Sequence, residues 1–453
     1  MFPRFDILKD SPERVLLLLA FPIIILNILK AGYNIVDLFW LGQLGKDYLS
    51  GVSAAIFLVW AIHSLSALVT VGLVAVVSRN IGEKLLENAR RNTLYSLKLA
   101  LFSGILVGML FYPIIDVVIG VMDLEPAVAK AGTEYLAVMV LGTPLIFLMF
   151  ALHSAMIAWG DTVTPVKIYA VTFVLNIVLS PLMMFGVFPF PRMETKGAAY
   201  ATLIAYGVSS ILFIRILVKR KWIEKNLFAS EINRKINWLY YFKIGYPGAL
   251  TGMFFSFIYF FLAKTGAKFG SDVVGAMGIG HKVESLSYFL SMGAASALAT
   301  FTGQNLGAGN KERVLAGTRF SLKYLAIFTL IYSLVIIIFA PQIAGLFNNS
   351  DGIVFHGTRY LRIVFLAETL QSVLILLEDG AFAGAGYTKP TFKYSFTITL
   401  LRVPFAWILA VTLGFGANGI WLTIMAAMTI NALIFIYLYK KEEWLSVELG
   451  RLL

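Results

Sequence analysis

Four polar side chains share one face of the first apolar segment of this sequence, and their types suit ion binding. Asn27, Lys30, Asn34 and Asp37 are three, four and three residues apart, so a helix places them in one arc. Ionisable groups within an apolar helix are costly and mark ion or substrate sites. We interpret Asp37 as an H⁺ or Na⁺ ligand and Lys30 as a group that tunes its pKa, with Lys30 and Asn34 in a substrate cavity or gate. The alternatives are that Asp37 is an interfacial cap and that Lys30 only pairs with a neighbour.

A second polar face is predicted in the eighth apolar segment, residues 275–301. His281, Glu284, Ser285 and Tyr288 fall on one side of a helix there. We interpret Glu284, near mid-membrane, as a second ion-coupling residue and His281 as a cavity or gate residue. The alternative is that Glu284 is a structural carboxyl group, hydrogen-bonded within its own half of the protein.

Two further sets of polar residues, in the tenth and eleventh segments and in the fifth segment, are assigned to the gate and to ion coupling. Glu378, near the inner end of the tenth segment, is predicted to pair with Arg402 of the eleventh at a gate, and direct ion binding by Glu378 is the alternative. In the fifth segment Asn176 precedes Ser180-Pro181. The proline frees a backbone carbonyl that can ligate a cation, or it makes an ordinary kink.

Aromatic and methionine residues supply a candidate substrate pocket. Tyr206, Tyr259, Tyr288 and Met292 are predicted to line a cavity for flat organic cations, through cation–π contact and the adaptability of methionine. Thr202, in the sixth segment, joins Asp37 in the candidate ion-coupling set.

These side chains must be positioned by membrane helices. The chain of 453 residues is 59% hydrophobic and 14% charged, with a mean hydropathy of +0.82, whereas soluble domains carry about 25% charged residues. Apolar runs of this length are helices in lipid, which predicts an all-α polytopic membrane protein of twelve transmembrane helices. The predicted spans are residues 14–39, 48–77, 93–120, 132–158, 166–188, 196–218, 239–265, 275–301, 315–340, 354–380, 391–414 and 417–439.

Composition also excludes several kinds of site. The chain has no cysteine and four scattered histidines, so neither a disulfide nor a protein-ligated metal is expected. We expect no cofactor other than a coupling cation, H⁺ or Na⁺. The net charge of +12 comes from short loops, which is the positive-inside pattern and not a nucleic-acid-binding surface.

The chain repeats itself at an offset of about 225 residues. Pro22 then matches Pro247, and Pro165 matches Pro390. Six helices per copy predict two parallel repeats that rock for alternating access. The predicted lobes are residues 1–218 and 239–453, joined by a cytoplasmic linker at 219–238, for which an amphipathic helix on the inner leaflet is the alternative.

The distribution of basic residues predicts the orientation. With both termini inside, roughly 24 Lys and Arg residues face the cytoplasm and roughly 8 face outward. We therefore expect both termini in the cytoplasm and a location in a prokaryotic plasma membrane.

Loop motifs along the whole chain resemble those of the multidrug and toxic compound extrusion (MATE) transporters. The matching segments are Gly303-Gln304-Asn305-Leu306-Gly307-Ala308-Gly309-Asn310, Gly384-Ala385-Gly386-Tyr387-Thr388-Lys389-Pro390, Gly160-Asp161-Thr162-Val163-Thr164-Pro165, Arg402-Val403-Pro404 and Gly416-Ala417-Asn418-Gly419-Ile420-Trp421.

The resemblance implies a two-lobed fold of twelve helices and export of cationic or amphipathic compounds against H⁺ or Na⁺. It assigns Asp37, Asn176 and Tyr135 to the ion-coupling set. The chain departs from one branch of the family by carrying Ser180 where that branch has an aspartate. It departs from another by lacking an acid on the seventh helix, around Ser256 and Tyr259.

The leading hypothesis is thus an ion-coupled multidrug antiporter and not an enzyme. It is expected to act as a monomer on small-molecule substrates in contact with membrane lipids. The alternatives are a lipid-linked saccharide flippase of the same wider superfamily, which would need a strongly cationic cavity, and an integral-membrane enzyme.

Overall fold

The protein, a computed structural model, is described over residues 6–120, 122, 124–223, 238–347 and 350–447. Over these ranges it is helical, without a strand, which confirms the predicted all-α class. Each helix satisfies its backbone hydrogen bonds internally, as apolar segments in lipid must.

Twelve long helical segments follow one another along the chain. They are α1 (Pro12–Leu44), α2 (Lys46–Ser64 and Ala67–Gly82), α3 (Leu86–Phe111), α4 (Pro126–Leu141 and Thr143–Ala158), α5 (Val163–Phe185), α6 (Glu194–Lys219), α7 (Trp238–Ala267), α8 (Ser271–Gly307), α9 (Lys311–Ile338), α10 (Asp351–Val364 and Glu368–Ala385), α11 (Thr388–Trp407) and α12 (Ala417–Lys441).

Length and hydropathy identify most of these helices as membrane spans. Eight of those in the described ranges are long and apolar enough to cross a bilayer, and counting the bent α4 and α10 as one span each makes ten. The remaining two, α1 and α8, have 33 and 37 residues. Both exceed the roughly 20 residues that a bilayer requires.

The fourth and tenth spans are bent where the sequence predicted continuous helices. The bend is 57° in α4 and 56° in α10. In α4 the second segment starts at Thr143-Pro144, and a proline cannot continue the hydrogen bonding of the preceding turn. In α10 the break precedes Glu368 and contains no proline. The two breaks occupy equivalent positions in the repeat.

Helix packing separates the described chain into two compact units. The first unit lies within Ile25–Met253, and the second combines residues 6–24 with residues 254–447. The start of α1 therefore belongs to the second unit, and the start of α7 belongs to the first. The predicted lobes, 1–218 and 239–453, differ from these units at both segments, and their boundaries remain a proposal. The predicted linker, 219–238, lies mostly outside the described residues.

Small residues allow these two segments to pack closely. In the second unit a Cβ atom at Gly293 of α8 would lie 2.5 Å from the Ile24 side chain of α1. In the first unit a Cβ atom at Gly245 of α7 would lie 2.3 Å from the backbone oxygen of Leu68. Glycine at both positions removes the side chain that would separate the helices.

Candidate functional site

The first candidate site surrounds Asp37 of α1, within the first unit. Ser180 Oγ of α5 donates a hydrogen bond to Asp37 Oδ1 at 2.9 Å. Thr202 Oγ1 of α6 donates to Asp37 Oδ2 at 3.3 Å. The half-buried carboxylate is thus held by neutral hydroxyl groups from two other helices.

Asn176 of α5 adds a further oxygen to this set. It is fully buried, and its Nδ2 donates to Thr202 Oγ1 at 3.3 Å. Within the described part of the chain, Asn176 Oδ1 has no hydrogen-bond partner. Buried polar atoms are nearly always paired, so this amide oxygen retains the capacity to accept a hydrogen bond or to ligate a cation. Carboxylate, hydroxyl and amide oxygens suit a hard cation.

Two tyrosines complete the surroundings of Asp37. Tyr135 of α4 is 7% exposed, and Tyr206 of α6 is half-buried. Both lie close enough to Asp37 to interact with it electrostatically. The backbone at Lys30 and Asn34 belongs to α1, but their side chains lie outside the described structure.

The second candidate site surrounds Glu284 of α8, within the second unit. Tyr360 of α10 donates its hydroxyl hydrogen to Glu284 Oε1 at 2.7 Å. Glu284 Oε2 lies 3.2 Å from His281 Nδ1, one turn earlier on the same helix. The fully buried Tyr360 ring lies against Gly280, where an added Cβ atom would approach Tyr360 Cε1 to 2.1 Å. Gly280 therefore makes room for the ring that reaches Glu284.

Glu368 of α10 belongs to the same cluster, although the sequence did not single it out. It is 3% exposed, its Oε1 is hydrogen-bonded with Ser287 Oγ, and its Oε2 has no partner among the described residues. Glu284 is near enough to interact with it electrostatically. An acid inside the predicted span 354–380 is a local signal, but its partner Ser287 lies 81 residues earlier in the chain and has no such signal.

Arg402 lies in this cluster and not at the predicted gate. It is 4% exposed and lies beside the hydroxyl of Tyr259 of α7, which interacts electrostatically with Glu284 and Glu368. The cluster thus draws on α7, α8, α10 and α11.

The predicted ion pair between Glu378 and Arg402 is not present in the described structure. Glu378 lies next to Ser395 of α11. Arg402 comes seven residues after Ser395, which is about 10 Å further along a helix axis. The two charges are on neighbouring helices but at different depths.

The remaining predicted cavity residues belong to neither cluster. Tyr288 is 48% exposed and interacts electrostatically with Asp379 of α10. Met292, one turn later on α8, is half-buried. Their assignment to a substrate cavity remains a proposal.

A model of the MatE family matches residues 22–182 and again residues 247–408. The chain belongs to the MatE family. The two matches begin at Pro22 and Pro247, 225 residues apart, which is the offset of the internal repeat. The family resemblance inferred from the loops is thereby confirmed.

Relatives of this MatE chain match it over almost its whole length. It is 26% identical over 451 residues to a probable multidrug resistance protein NorM from Thermotoga maritima, covering 98% of this chain and 96% of the relative. It is 27% identical over 451 residues to an FAD transporter from Shewanella oneidensis, covering 97% of this chain and 96% of the relative.

Solved structures of the family share its fold. The chain matches a multidrug resistance MATE family transporter of the MOP superfamily, in its outward-facing conformation, with a TM-score of 0.89. It matches a MOP superfamily transporter from Pyrococcus furiosus with the same score. Each comparison covers 99% of this chain and 100% of the other, at 24% identity. These matches confirm the predicted fold of twelve helices in two lobes. This MatE chain is therefore a multi-pass membrane transporter.

Proposed function

We propose that this transporter is a secondary active efflux antiporter. It exports cationic or amphipathic small molecules by alternating access, in exchange for the entry of H⁺ or Na⁺. The observation that carries the proposal is the site at Asp37, where a membrane-embedded carboxylate meets two hydroxyl groups and an orphan amide oxygen. Membership of the MatE family and the multidrug resistance names of relatives support export.

The geometry suggests how an ion at Asp37 couples to conformation. Ser180 and Thr202 connect the carboxylate on α1 to α5 and α6. A bound cation would neutralise Asp37 and draw these oxygens together, whereas an empty site leaves a negative charge with two neutral donors. Bound and empty states therefore differ in how firmly α1 packs against α5 and α6. Such a difference in interaction energy between two states is what coupling requires.

We further propose a location in a prokaryotic plasma membrane, with both termini in the cytoplasm and the monomer as the working unit. The support for this orientation is the charge of the short loops. Arg79, Lys84, Arg90 and Arg91 cluster around the connection between α2 and α3, as the positive-inside pattern predicts for a cytoplasmic loop.

The proposed coupling is tested by counter-ion-driven efflux of a cationic dye from vesicles that contain the purified protein. We expect Asp37→Asn to lose the ion-driven component, because the neutral amide cannot exchange a cation. Asp116→Asn is the matched control, since Asp116 is an exposed acid in the same unit. Undiminished coupled efflux in Asp37→Asn would refute the assignment.

A second substrate class is supported by one relative. The Shewanella oneidensis protein, an FAD transporter, matches 97% of this chain. Measuring efflux of FAD beside that of the cationic dye, in the same vesicles, separates the two substrate classes. FAD efflux without dye efflux would replace the proposed cationic substrate class with FAD. The proposal of an ion site at Asp37 would be unaffected.

A further inference from the structure

Glu368 is a buried carboxyl group that the site at Asp37 does not use. It lies at the start of the second segment of α10, directly after the 56° bend, and is 3% exposed. An ionised carboxylate at such a position carries a large desolvation cost unless charged or hydrogen-bonded partners compensate it. The hydrogen bonds around Glu368 therefore indicate which protonation state it adopts.

Ser287 provides the decisive contact. Its Oγ lies 2.9 Å from the backbone oxygen of Glu284 and is also hydrogen-bonded with Glu368 Oε1. A serine hydroxyl has one hydrogen to donate but can accept others. Because the Glu284 carbonyl has no hydrogen, both contacts are satisfied only when Ser287 donates to that carbonyl and Glu368 donates to Ser287. Glu368 must then be in its acid form.

The side chain of Glu284 has the opposite requirement. Tyr360 donates to its Oε1 at 2.7 Å, and His281 Nδ1 lies 3.2 Å from its Oε2. An ionised Glu284 accepts the hydrogen bond from Tyr360, and it also satisfies His281 in the tautomer that carries its hydrogen on Nδ1. The hydrogen-bond partners of these two neighbouring carboxyl groups thus favour different protonation states.

The other titratable groups facing the pair are consistent with one bound proton. They are Tyr259 of α7 and Tyr332 of α9, which both interact electrostatically with the two carboxyl groups, and Arg402 of α11, which lies beside the Tyr259 hydroxyl. Ionising Glu368 would place a second negative charge near ionised Glu284 in a buried position.

We propose that Glu368 and Glu284 form a one-proton site in the second unit, in which Glu368 holds the proton against Ser287 while Glu284 stays ionised. On release the O–H bond of Glu368 breaks, the proton passes to water, and Ser287 turns its hydrogen to the new carboxylate. Use of this proton to drive transport rests on the proposed antiport, whereas the protonation of Glu368 does not.

Infrared difference spectroscopy of the purified full-length protein, recorded between two pH values without substrate or gradient, tests the site directly. We expect wild type to show the carbonyl stretch of a protonated buried carboxyl group that disappears reversibly at high pH. Glu368→Gln should lack the Glu368 component of this band, and Glu284→Gln should keep that component at the lower pH. Asp351→Asn, which changes an exposed acid of the same unit, should also keep it.

Ser287→Ala offers a second test should Glu368→Gln fail to fold. It should retain the band at a shifted frequency, because the acid loses its hydrogen-bond acceptor. The proposal would be overturned by a wild-type spectrum without the band or by a spectrum that is unchanged in Glu368→Gln. It would also be overturned by a band that no pH releases, or by one that Na⁺ removes at constant pH. Because Asp37→Asn should keep the band, failure of the antiport hypothesis and failure of this site are distinguishable.

Discussion

The carboxyl groups of the two units are satisfied by different chemistry. In the first unit Asp37 accepts hydrogen bonds from two small hydroxyl groups, and an unpaired amide oxygen lies in the same cluster. In the second unit Glu284 accepts a hydrogen bond from the Tyr360 hydroxyl and contacts a ring nitrogen of His281. Glu368 is hydrogen-bonded with Ser287. We propose that the first arrangement offers oxygen ligands to a cation, whereas the second holds a proton on Glu368.

The internal repeat shows what duplication has kept and what has changed. Tyr135 and Tyr360 stand 225 residues apart, at equivalent positions, and each lies near a membrane-embedded acid. The acid itself comes from α1 in the first unit and from α8 in the second. A shared tyrosine position has thus been combined with carboxyl groups placed on different helices.

The largest expected difference between the two sites is in their response to Na⁺. Na⁺ in place of K⁺, at fixed pH and ionic strength, should raise the Tm of the purified protein, because a ligand at 100 times its Kd stabilises by about 2.7 kcal/mol. Asp37→Asn should abolish this shift and Glu368→Gln should keep it. A shift lost in Glu368→Gln and kept in Asp37→Asn would reverse the comparison.

The packing of the second site is expected to be sensitive at Gly280. Gly280→Ala would place a Cβ atom 2.1 Å from Tyr360 Cε1, displace the ring and break its bond to Glu284. We expect a loss of about 1–3 kcal/mol in the free energy of unfolding. Gly278→Ala is the control, because an added Cβ atom there meets nothing within 4 Å. Equal effects of both variants in a thermal or denaturant titration would contradict the proposed role of Gly280.

The equivalent tyrosines should differ in their contribution to stability. Tyr360→Phe removes a 2.7 Å hydrogen bond to a carboxylate and should destabilise the protein by about 1.5 kcal/mol, the low end for bonds to charged groups. Tyr135→Phe should have a smaller effect, since Tyr135 is near Asp37 but the hydrogen bonds that Asp37 accepts come from Ser180 and Thr202. Parallel unfolding curves of the two variants measure the difference, and a larger loss for Tyr135→Phe would contradict the structure.

The smallest effect is expected for the amide at the first site. Asn176→Ala removes one oxygen ligand but no charge, so the Na⁺ concentration needed for half-maximal stabilisation should rise about tenfold, or ~1.4 kcal/mol. Thr172→Ala, one turn earlier on α5, serves as the control. An unchanged Na⁺ titration in Asn176→Ala would exclude this oxygen as a ligand and favour H⁺ at Asp37.

Helices and the first site were largely predictable because their signals are local or belong to the family pattern. Apolar runs of about 20 residues predict spans on their own. Asp37 was predicted from helical spacing and from the resemblance, and Asn176 from its place before Ser180-Pro181 and from the resemblance. The structure adds that Ser180 and Thr202 both donate to Asp37.

Other features depend on contacts between distant segments and have no local signal. Glu368 lies directly after a bend of α10 that contains no proline, and its partner Ser287 lies on α8. The predicted pairing of Glu378 with Arg402 matched opposite charges on neighbouring helices but ignored their depth, which differs by about two turns. The first segment of α1 belongs to the second unit, and the first segment of α7 belongs to the first unit. This exchange of segments depends on side-chain packing, which hydropathy does not describe.

That exchange of segments has a consequence for biosynthesis. Residues 6–24 leave the ribosome before the rest of the described chain, yet they pack in the unit whose other segments begin after residue 253. Gly293, against which Ile24 lies, is made only after the whole first unit. The first part of α1 must therefore wait without its partners while the first unit is translated. Completion of the second unit is a late event that joins an early segment to helices made much later.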